Sequence, residues 1–489
     1  MTSRLTFAFF CLLLPLQADE ETSSALAGTK PNIVFFLGDD QSRFDHISYG
    51  HPSIPTPTTD SFAKASLVFD SAFTGQAVCA PSRSMLYTGL YPVRNGCFMN
   101  HTQVRPGIET LPTLLAKEGY NVILAGKSHV SPASSFPWSH RFLPVAKPGL
   151  PRDWIPLDEI ESFLANPGDK PYCLIVASEF PHSPYMEETS FQPEDVLLPP
   201  FSPQTEQAKK NATRYYANVE QKEQEFAALL KLLDKHEQTT SSIVFYADDH
   251  GLERGKFTCY DSGLKVAFMV RWPEKIAPGR TSALISFADF VPTALELAGG
   301  KPSSLDGCSL LPIFTGETTK HHQYVYGVTV NQGTLGRHVF PQRSVHNGRY
   351  HYIHNFNTLE RLARESDESP EQKESPVRFF LERGAARHRK LPEEMLFDTD
   401  TDPHELTNLA DRPELSAIKQ ELKSELFRWM KEQNDYLAED GPVPFLKAKK
   451  RFALDQFDER NPIAPQYRNS LKGLLIDHHE ATKPSRAEP

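Results

Sequence analysis

Cysteine is scarce in this 489-residue chain: six occur, Cys11 inside an N-terminal apolar run and Cys79, Cys97, Cys173, Cys259 and Cys308 after it. No Cys-x-x-Cys pair and no Cys/His metal spacing is present, which argues against a zinc site built from these cysteines and against a small disulfide-stapled module. In an exported protein, an odd set of five leaves at least one thiol unpaired. An excess of basic charge is missing too. The chain has 52 Lys and Arg against 62 Asp and Glu, a formal net charge of −10, and so is no general binder of nucleic acid or anionic membrane. An anionic substrate would need a local cationic pocket. After the N-terminal run no apolar stretch reaches the ~20 residues of a membrane span, and no internal repeat appears. What is abundant is proline, at 40 residues, and aromatic material, with 4 Trp, 16 Tyr and 32 Phe. The aromatics suffice for a large core and exclude disorder as the main state. The prolines suit a loop-rich shell on a regular scaffold better than a helical bundle.

Arg4 precedes the apolar run Leu5 to Leu14, and Pro15 to Ala18 leads into Asp19-Glu20-Glu21, the layout of a secretory signal peptide over residues 1–18. The run is too short for a stable membrane span. Export follows: to the periplasm or medium in a bacterium, to the lysosome or outside the cell in a eukaryote.

Continuous apolar runs of strand length lie at Asn32 to Leu37, Asn121 to Ala125, Tyr172 to Ala177, Ser242 to Tyr246 and Val266 to Val270, with helical patterns at Leu111 to Lys117 and Glu225 to Leu233 between them. Strands apolar on both faces and alternating with helices predict a doubly wound α/β fold with a mixed, mostly parallel sheet flanked by helices. After about Gly316 the strands become short and mixed, with Gln323 to Val328 and Arg349 to Ile353 and a turn at His346-Asn347-Gly348. They predict a smaller C-terminal α+β subdomain carrying an antiparallel sheet. The charge-dense stretch 357–390 reads as an exposed insertion, and Leu415 to Met430 as a packed helix. The resulting division is 30–315 for a catalytic domain, 316–437 for the subdomain and 438–489 for a charged tail.

Two of the strands end in acidic doublets, Asp39-Asp40 and Asp248-Asp249, the second followed by His250. Ligands in such sheets gather outside the carboxyl ends of the strands, and a hard divalent cation wants oxygen donors on rigid supports. Either doublet alone is a common turn feature; two at the ends of strands in one sheet point to a metal. Between them lies Cys79-Ala80-Pro81-Ser82-Arg83, running to Thr88-Gly89. Pro81 suits a first helical turn and Gly89 an exit, so Cys79 sits near a helix amino end that favours anions.

These residues resemble the Cys-x-Pro-Ser-Arg-x-x-x-x-Thr-Gly signature of the formylglycine-dependent type I sulfatases, a family within the alkaline-phosphatase-like superfamily. Gly126-Lys127-Ser128-His129, Pro181-His182-Ser183-Pro184, Asp249-His250-Gly251 and Gly255-Lys256 are similar to further elements of that family, as are Asp289 to Thr293 and Asp398 to Leu409. Gly126 to Val130 and Pro193 to Phe201 look most like the heparan N-sulfatase-like branch. The resemblance implies that a maturation enzyme converts Cys79 to formylglycine, whose hydrated aldehyde attacks the sulfate of a sulfated saccharide. It implies calcium ligation by Asp39, Asp40, Asp249 and His250. It further implies that Arg83 orients the hydrate, that Lys127 and Lys256 bind sulfate oxygens, that His129 acts as base on the second hydroxyl, and that His182 protonates the leaving group or binds sulfate. The sequence departs from the family where Asp248 replaces a frequent Ser, Asp261 a frequent Glu and Lys265 a frequent Arg. Two other readings compete: a phosphodiesterase or phosphonate hydrolase of the same superfamily, and a non-catalytic sulfated-glycan-binding protein. The second would be favoured by loss of the nucleophile or the lysines, and both are present.

Overall fold

The computed structural model describes residues 25–252, 255–330, 339–364 and 376–439 and the short strands Leu446–Lys447 and Ile476–Asp477. The signal-peptide reading, and the tail apart from 438–439 and those strands, lie outside the described residues. Among the described residues no helix is long and apolar enough to cross a membrane.

The apolar runs become strands because alternate side chains find a core on each side. In β1 (Asn32–Asp39), Ile33, Phe35 and Leu37 join one buried cluster, while Val34 and Phe36 join another. The same alternation holds in β5 (Tyr172–Pro181) and β6 (Ser242–Asp248), as expected when both faces of a sheet are covered. The nine-stranded sheet runs β4 (His140–Phe142), β3 (Asn121–Gly126), β5, β1, β6, β8 (Phe268–Arg271), β2 (Leu67–Phe73), β7 (Lys265–Val266), with β9 (Gly279–Ser286) also paired to β2. Strands β4, β3, β5, β1 and β6 are mutually parallel. Leu37 pairs with both Ala177 and Ala247, and Gly126 with Ala177, so the carboxyl ends of β3, β5, β1 and β6 stand in one row.

The sheet is mixed, as expected, and its other half departs from the sequence reading in one strand. The run Val266 to Val270 breaks into β7 and β8, and β8 is antiparallel to both β6 and β2. Among the described residues between β6 and β7 the one helix is the four-residue Asp261–Leu264, so no long crossover helix carries the chain back to start a parallel strand. Strand β9 escaped the sequence reading because its first four residues are not buried and carry little apolar signal.

A second, antiparallel sheet has the order β10 (Val325–Thr329), β11 (Gln342–His346), β12 (Tyr350–Asn355), β13 (Glu394–Asp398). The turn at 346–348 joins β11 to β12. The helix Ser416–Glu432 covers this sheet with Leu422, Leu426, Trp429 and Met430, and Trp429 stacks on Tyr326 at 4.3 Å while meeting Tyr91 of the first sheet's shell edge-on at 5.2 Å. The exposed reading of 357–390 is corrected in its described parts. Helices Leu359–Arg364 and Pro376–Arg387 bury Leu362, Leu381 and Ala385, and buried Asn357 donates to the carbonyl of Leu381 at 3.0 Å. Three apolar contacts in a charged stretch are too few for a periodicity to register.

Glu225, on the helix Glu206–Lys235, lies fully buried, accepting the Ile155 amide at 2.8 Å and hydrogen-bonded to Ser178. Burial pushes its carboxyl up from 4.5 to about 8. The folded protein therefore holds a proton that the unfolded chain has lost between those values, and stability falls as pH rises through that window. One such group gives a slope of up to about 1.4 kcal/mol per pH unit. Glu225→Gln is expected to flatten the decline in denaturation midpoint between pH 5 and 8; an unchanged pH profile would show that Glu225 is charged in the folded state.

Candidate active site

Cys79 opens a helix, Cys79–Thr88, in which every residue is buried. Val78 before it is extended, Pro81 occupies the first turn, and Gly89 ends the helix at φ +67°, its amide closing onto the carbonyl of Met85. A β-carbon at Gly89 would also press on Val291 at 3.1 Å. The positive end of the helix dipole favours negative charge at residue 79. The Ala80 amide is already engaged, by Asn100 Oδ1 at 3.3 Å.

The row of strand ends converges on this position. Cys79 Sγ lies 3.4 Å from Asp39 Oδ1, 3.9 Å from Asp40 Oδ1 and 3.3 Å from His250 Nε2. Asp249 accepts the Asp40 amide at 3.1 Å and Arg83 Nε at 3.0 Å. Arg83 is fully buried and its two terminal nitrogens make no hydrogen bond. Lys127 pairs with Asp39, and Lys256 with Asp40 at 2.7 Å. Burial opposes ionisation of the Cys79 thiol, yet Lys127, Lys256 and His250 hold it well below its ordinary 9.0. Burial and the neighbouring Asp39 push the Asp249 carboxyl up, whereas Lys127 and Arg83, outweighing burial and the Cys79 charge, hold Asp39 down.

Asp39, Asp40, Asp249 and His250 are each at most 1% exposed. Three converging carboxylates, one of them pushed up by burial and by another, form a donor set that a hard divalent cation fits, because its charge removes their repulsion. His250 Nδ1 lies 2.9 Å from the Gly251 carbonyl; donation there leaves Nε2, 3.3 Å from Asp40 Oδ1, as the nitrogen facing the carboxylates. The other member of the second doublet turns away. Asp248 meets Lys222 at 2.9 Å and His46 at 2.8 Å on the opposite side of the sheet. A β-carbon at Gly38 would stand 2.0 Å from the Asp248 carboxylate, so that inward turn requires glycine.

His129 and His182 flank the site. Gly126 adopts φ +93° with no room for a side chain, since a β-carbon would sit 2.1 Å from the Ala177 carbonyl, and this close crossing sends Lys127 toward Asp39. His129 contributes a hydrogen bond that lowers the Cys79 thiol, and its Nε2 lies 2.9 Å from His101 Nδ1. His182 lies with Nε2 3.7 Å from Asp40 and Nδ1 2.5 Å from Arg152. Although burial works against it, contact with Cys79, Asp39 and Asp40 raises the His182 imidazole. Asp40, His101, His129 and Phe257 all have φ between 52° and 67°, a left-handed conformation costly for such residues and characteristic of over-determined sites.

Residues 31–300 match the family model described as Sulfatase, and residues 249–372 match that of N-sulphoglucosamine sulphohydrolase, C-terminal. An ulvan-active sulfatase of Formosa agariphila is 42% identical over 469 residues, spanning 94% of this chain and 92% of that protein. The chain belongs to the sulfatase family. It is a sulfuric ester hydrolase by that membership. Human N-sulphoglucosamine sulphohydrolase is 26% identical, covering 84% of this sulfatase and 92% of the human chain. A solved 2-O GAG sulfatase superposes with a TM-score of 0.67 at 21% identity, covering 85% and 95% of the two chains, a likeness of fold.

All ten residues singled out from the sulfatase sequence lie in this one cluster. Three neighbours were missed. Asn100 and His101 carry no motif and reach the site only through the loop after the Cys79 helix, and Arg152 reaches His182 across 30 positions. A lone polar residue in a loop has no sequence signal for such contacts. All five described cysteines are free thiols, Cys308 exposed and the others buried.

Proposed function

We propose that this sulfatase hydrolyses sulfate esters or sulfamates on a sulfated carbohydrate through a formylglycine at position 79 and a calcium ion, within a catalytic domain spanning 30–315. The carbohydrate class is supported by relatives named for ulvan, N-sulphoglucosamine and a 2-O GAG. The apolar run at 5–14 supports action after export. The subdomain 316–437 would shape specificity from its antiparallel sheet.

The observation carrying this reading is the convergence on Cys79 Sγ of Asp39, Asp40 and His250 within 3.9 Å, with Lys127 and Lys256 on the two carboxylates. In that reading Sγ marks where a formylglycine hydroxyl stands. Formylglycine would supply a hydrated aldehyde: one hydroxyl displaces the sugar hydroxyl or amine from sulfur, and the second, on losing its proton, restores the aldehyde and expels sulfate. Calcium held by Asp39, Asp40, Asp249 and His250 would add a fixed positive charge beside the transferring group.

The chain's own residues do the rest. Arg83 offers its terminal guanidinium nitrogens, which make no hydrogen bond, to the oxygens at position 79. Lys127 and Lys256 exchange part of their carboxylate contact for sulfate oxygens as negative charge grows. His129 takes the proton of the second hydroxyl and can pass charge to His101, 2.9 Å away. His182, which its anionic neighbours bias toward the protonated form, donates to the leaving oxygen or nitrogen, with the Ser183 carbonyl accepting from its Nδ1–H at 2.5 Å and so fixing its ring.

Matched aryl or sugar sulfates and phosphates test the reading. Sulfate release should exceed phosphate release with the same leaving group, fall on chelator treatment and return with calcium. A clear phosphate preference, or two tightly bound zinc ions at this cluster, would favour phosphoester or phosphonate chemistry instead.

A further inference from the structure

A second convergence of ligating side chains lies at the connection between the two sheets and shares no residue with the Cys79 cluster. Asp289 follows β9 at the start of the helix Phe290–Leu297, and its carboxylate is fully buried. Oδ2 accepts the Ser286 amide at 2.8 Å, and Oδ1 accepts the Cys308 amide at 2.9 Å. Two consecutive histidines from the segment leading to β10 reach the same carboxylate: His322 Nε2 lies 2.7 Å from Oδ1, and His321 Nε2 lies 3.3 Å from Oδ2. The imidazole rings stand 4.4 Å apart at 68°, and the donor atoms of all three residues lie within 4.8 Å of one another.

An ordinary helix-start carboxylate with an ion-paired histidine accounts for Asp289 and His322. It does not account for His321. That side chain is 7% exposed, and its Nε2 is buried without a hydrogen bond while aimed at the carboxylate. Leaving such a nitrogen unsatisfied in a protein interior is destabilising.

We propose that Asp289, His321 and His322 bind a first-row transition-metal ion, zinc best matching the donor set. Bonds of about 2.0–2.2 Å to a tetrahedral ion set neighbouring donors about 3.3 Å apart, the separation His321 keeps from Asp289, while His322, now at hydrogen-bond distance of 2.7 Å, must move outward to admit the ion. Two imidazole nitrogens and one carboxylate suit zinc, while calcium would require more oxygen donors. Water completes the coordination. The Ser286 and Cys308 amides hold the carboxylate in orientation. The ion would tie the segment before β10 to the carboxyl end of β9, clamping the antiparallel sheet to the larger one.

The test uses full-length protein carrying Cys79→Ala, which removes the thiol from the other cluster, dialysed against chelator and titrated with zinc in excess calcium. One equivalent of zinc is expected to bind, raising the melting temperature, and cobalt in its place should give the intense visible absorption of a four-coordinate site. His321→Gln gives up only the 3.3 Å contact with Asp289 and should fold as wild type by circular dichroism; it is expected to weaken zinc binding at least about 100-fold and to abolish both the thermal shift and the cobalt spectrum. His322→Gln should do the same. Absence of a zinc equivalent in the protein with an intact triad overturns the proposal, as does zinc affinity unchanged by His321→Gln. Because the readouts are metal content, melting and absorption, they are independent of how position 79 acts.

Discussion

Cys79→Ala and Cys79→Ser are expected to abolish multiple-turnover sulfate release while leaving the fold intact. Alanine offers no nucleophile. Serine retains one hydroxyl at a position flanked by Asp39 and His250, and it can attack sulfur once. The product would then be a serine sulfate ester with no second hydroxyl to expel the anion, so the enzyme should stop after a single stoichiometric transfer. Stability should change little by comparison, since a single side-chain truncation of this size costs about 1 kcal/mol. Mass spectrometry of the peptide carrying residue 79 distinguishes the cases. The wild type should show formylglycine, and Cys79→Ser should show either serine or an added sulfate. Sustained turnover by either variant would remove formylglycine from the mechanism.

The second large effect belongs to the lysines. Lys127→Ala and Lys256→Ala are each expected to lower kcat/KM for sulfate release by about 10²–10³, the usual loss when one preorganised charge donor leaves a catalytic site. Both side chains are about 15% exposed and end on buried carboxylates, so their charge acts where water screens it weakly. Removing either also strips a partner from Asp39 or Asp40, and an unpaired buried charge can cost 3–5 kcal/mol, roughly, in stability. Melting temperature and calcium affinity must therefore be measured alongside activity. Loss of rate in protein that still melts near the wild-type temperature assigns the effect to sulfate binding. Wild-type rates in both variants would take the lysines out of the chemistry.

Much of the larger sheet was legible because its strands are buried on both sides. Where both faces are covered, a run such as Ile33 to Leu37 is apolar at every position and stands out from its surroundings. Half-covered or short strands, such as β9 and β4, leave no comparable mark, and the polarity of β8 depends on what connects it, which its own residues do not encode. The small sheet was legible as texture. Its β11 and β13 were not anticipated as strands, because short strands in a polar context have a weak period.

The sequence by itself determined the chemistry at stake: a cysteine at a helix start, acidic doublets at strand ends, and lysines and histidines after glycine and proline turns, all in the family's order. Tertiary structure decided which of these face one another. Register aligns the ends of β3, β5, β1 and β6, and the side-chain period of two then selects within the second doublet, sending Asp249 to Arg83 and Asp248 to Lys222 on the other side of the sheet. It also decided the contacts no motif records, from His101 beside His129 to His321 and His322 about Asp289. Those contacts join residues from separate loops, and only the packing of the elements beneath the loops fixes where such side chains meet.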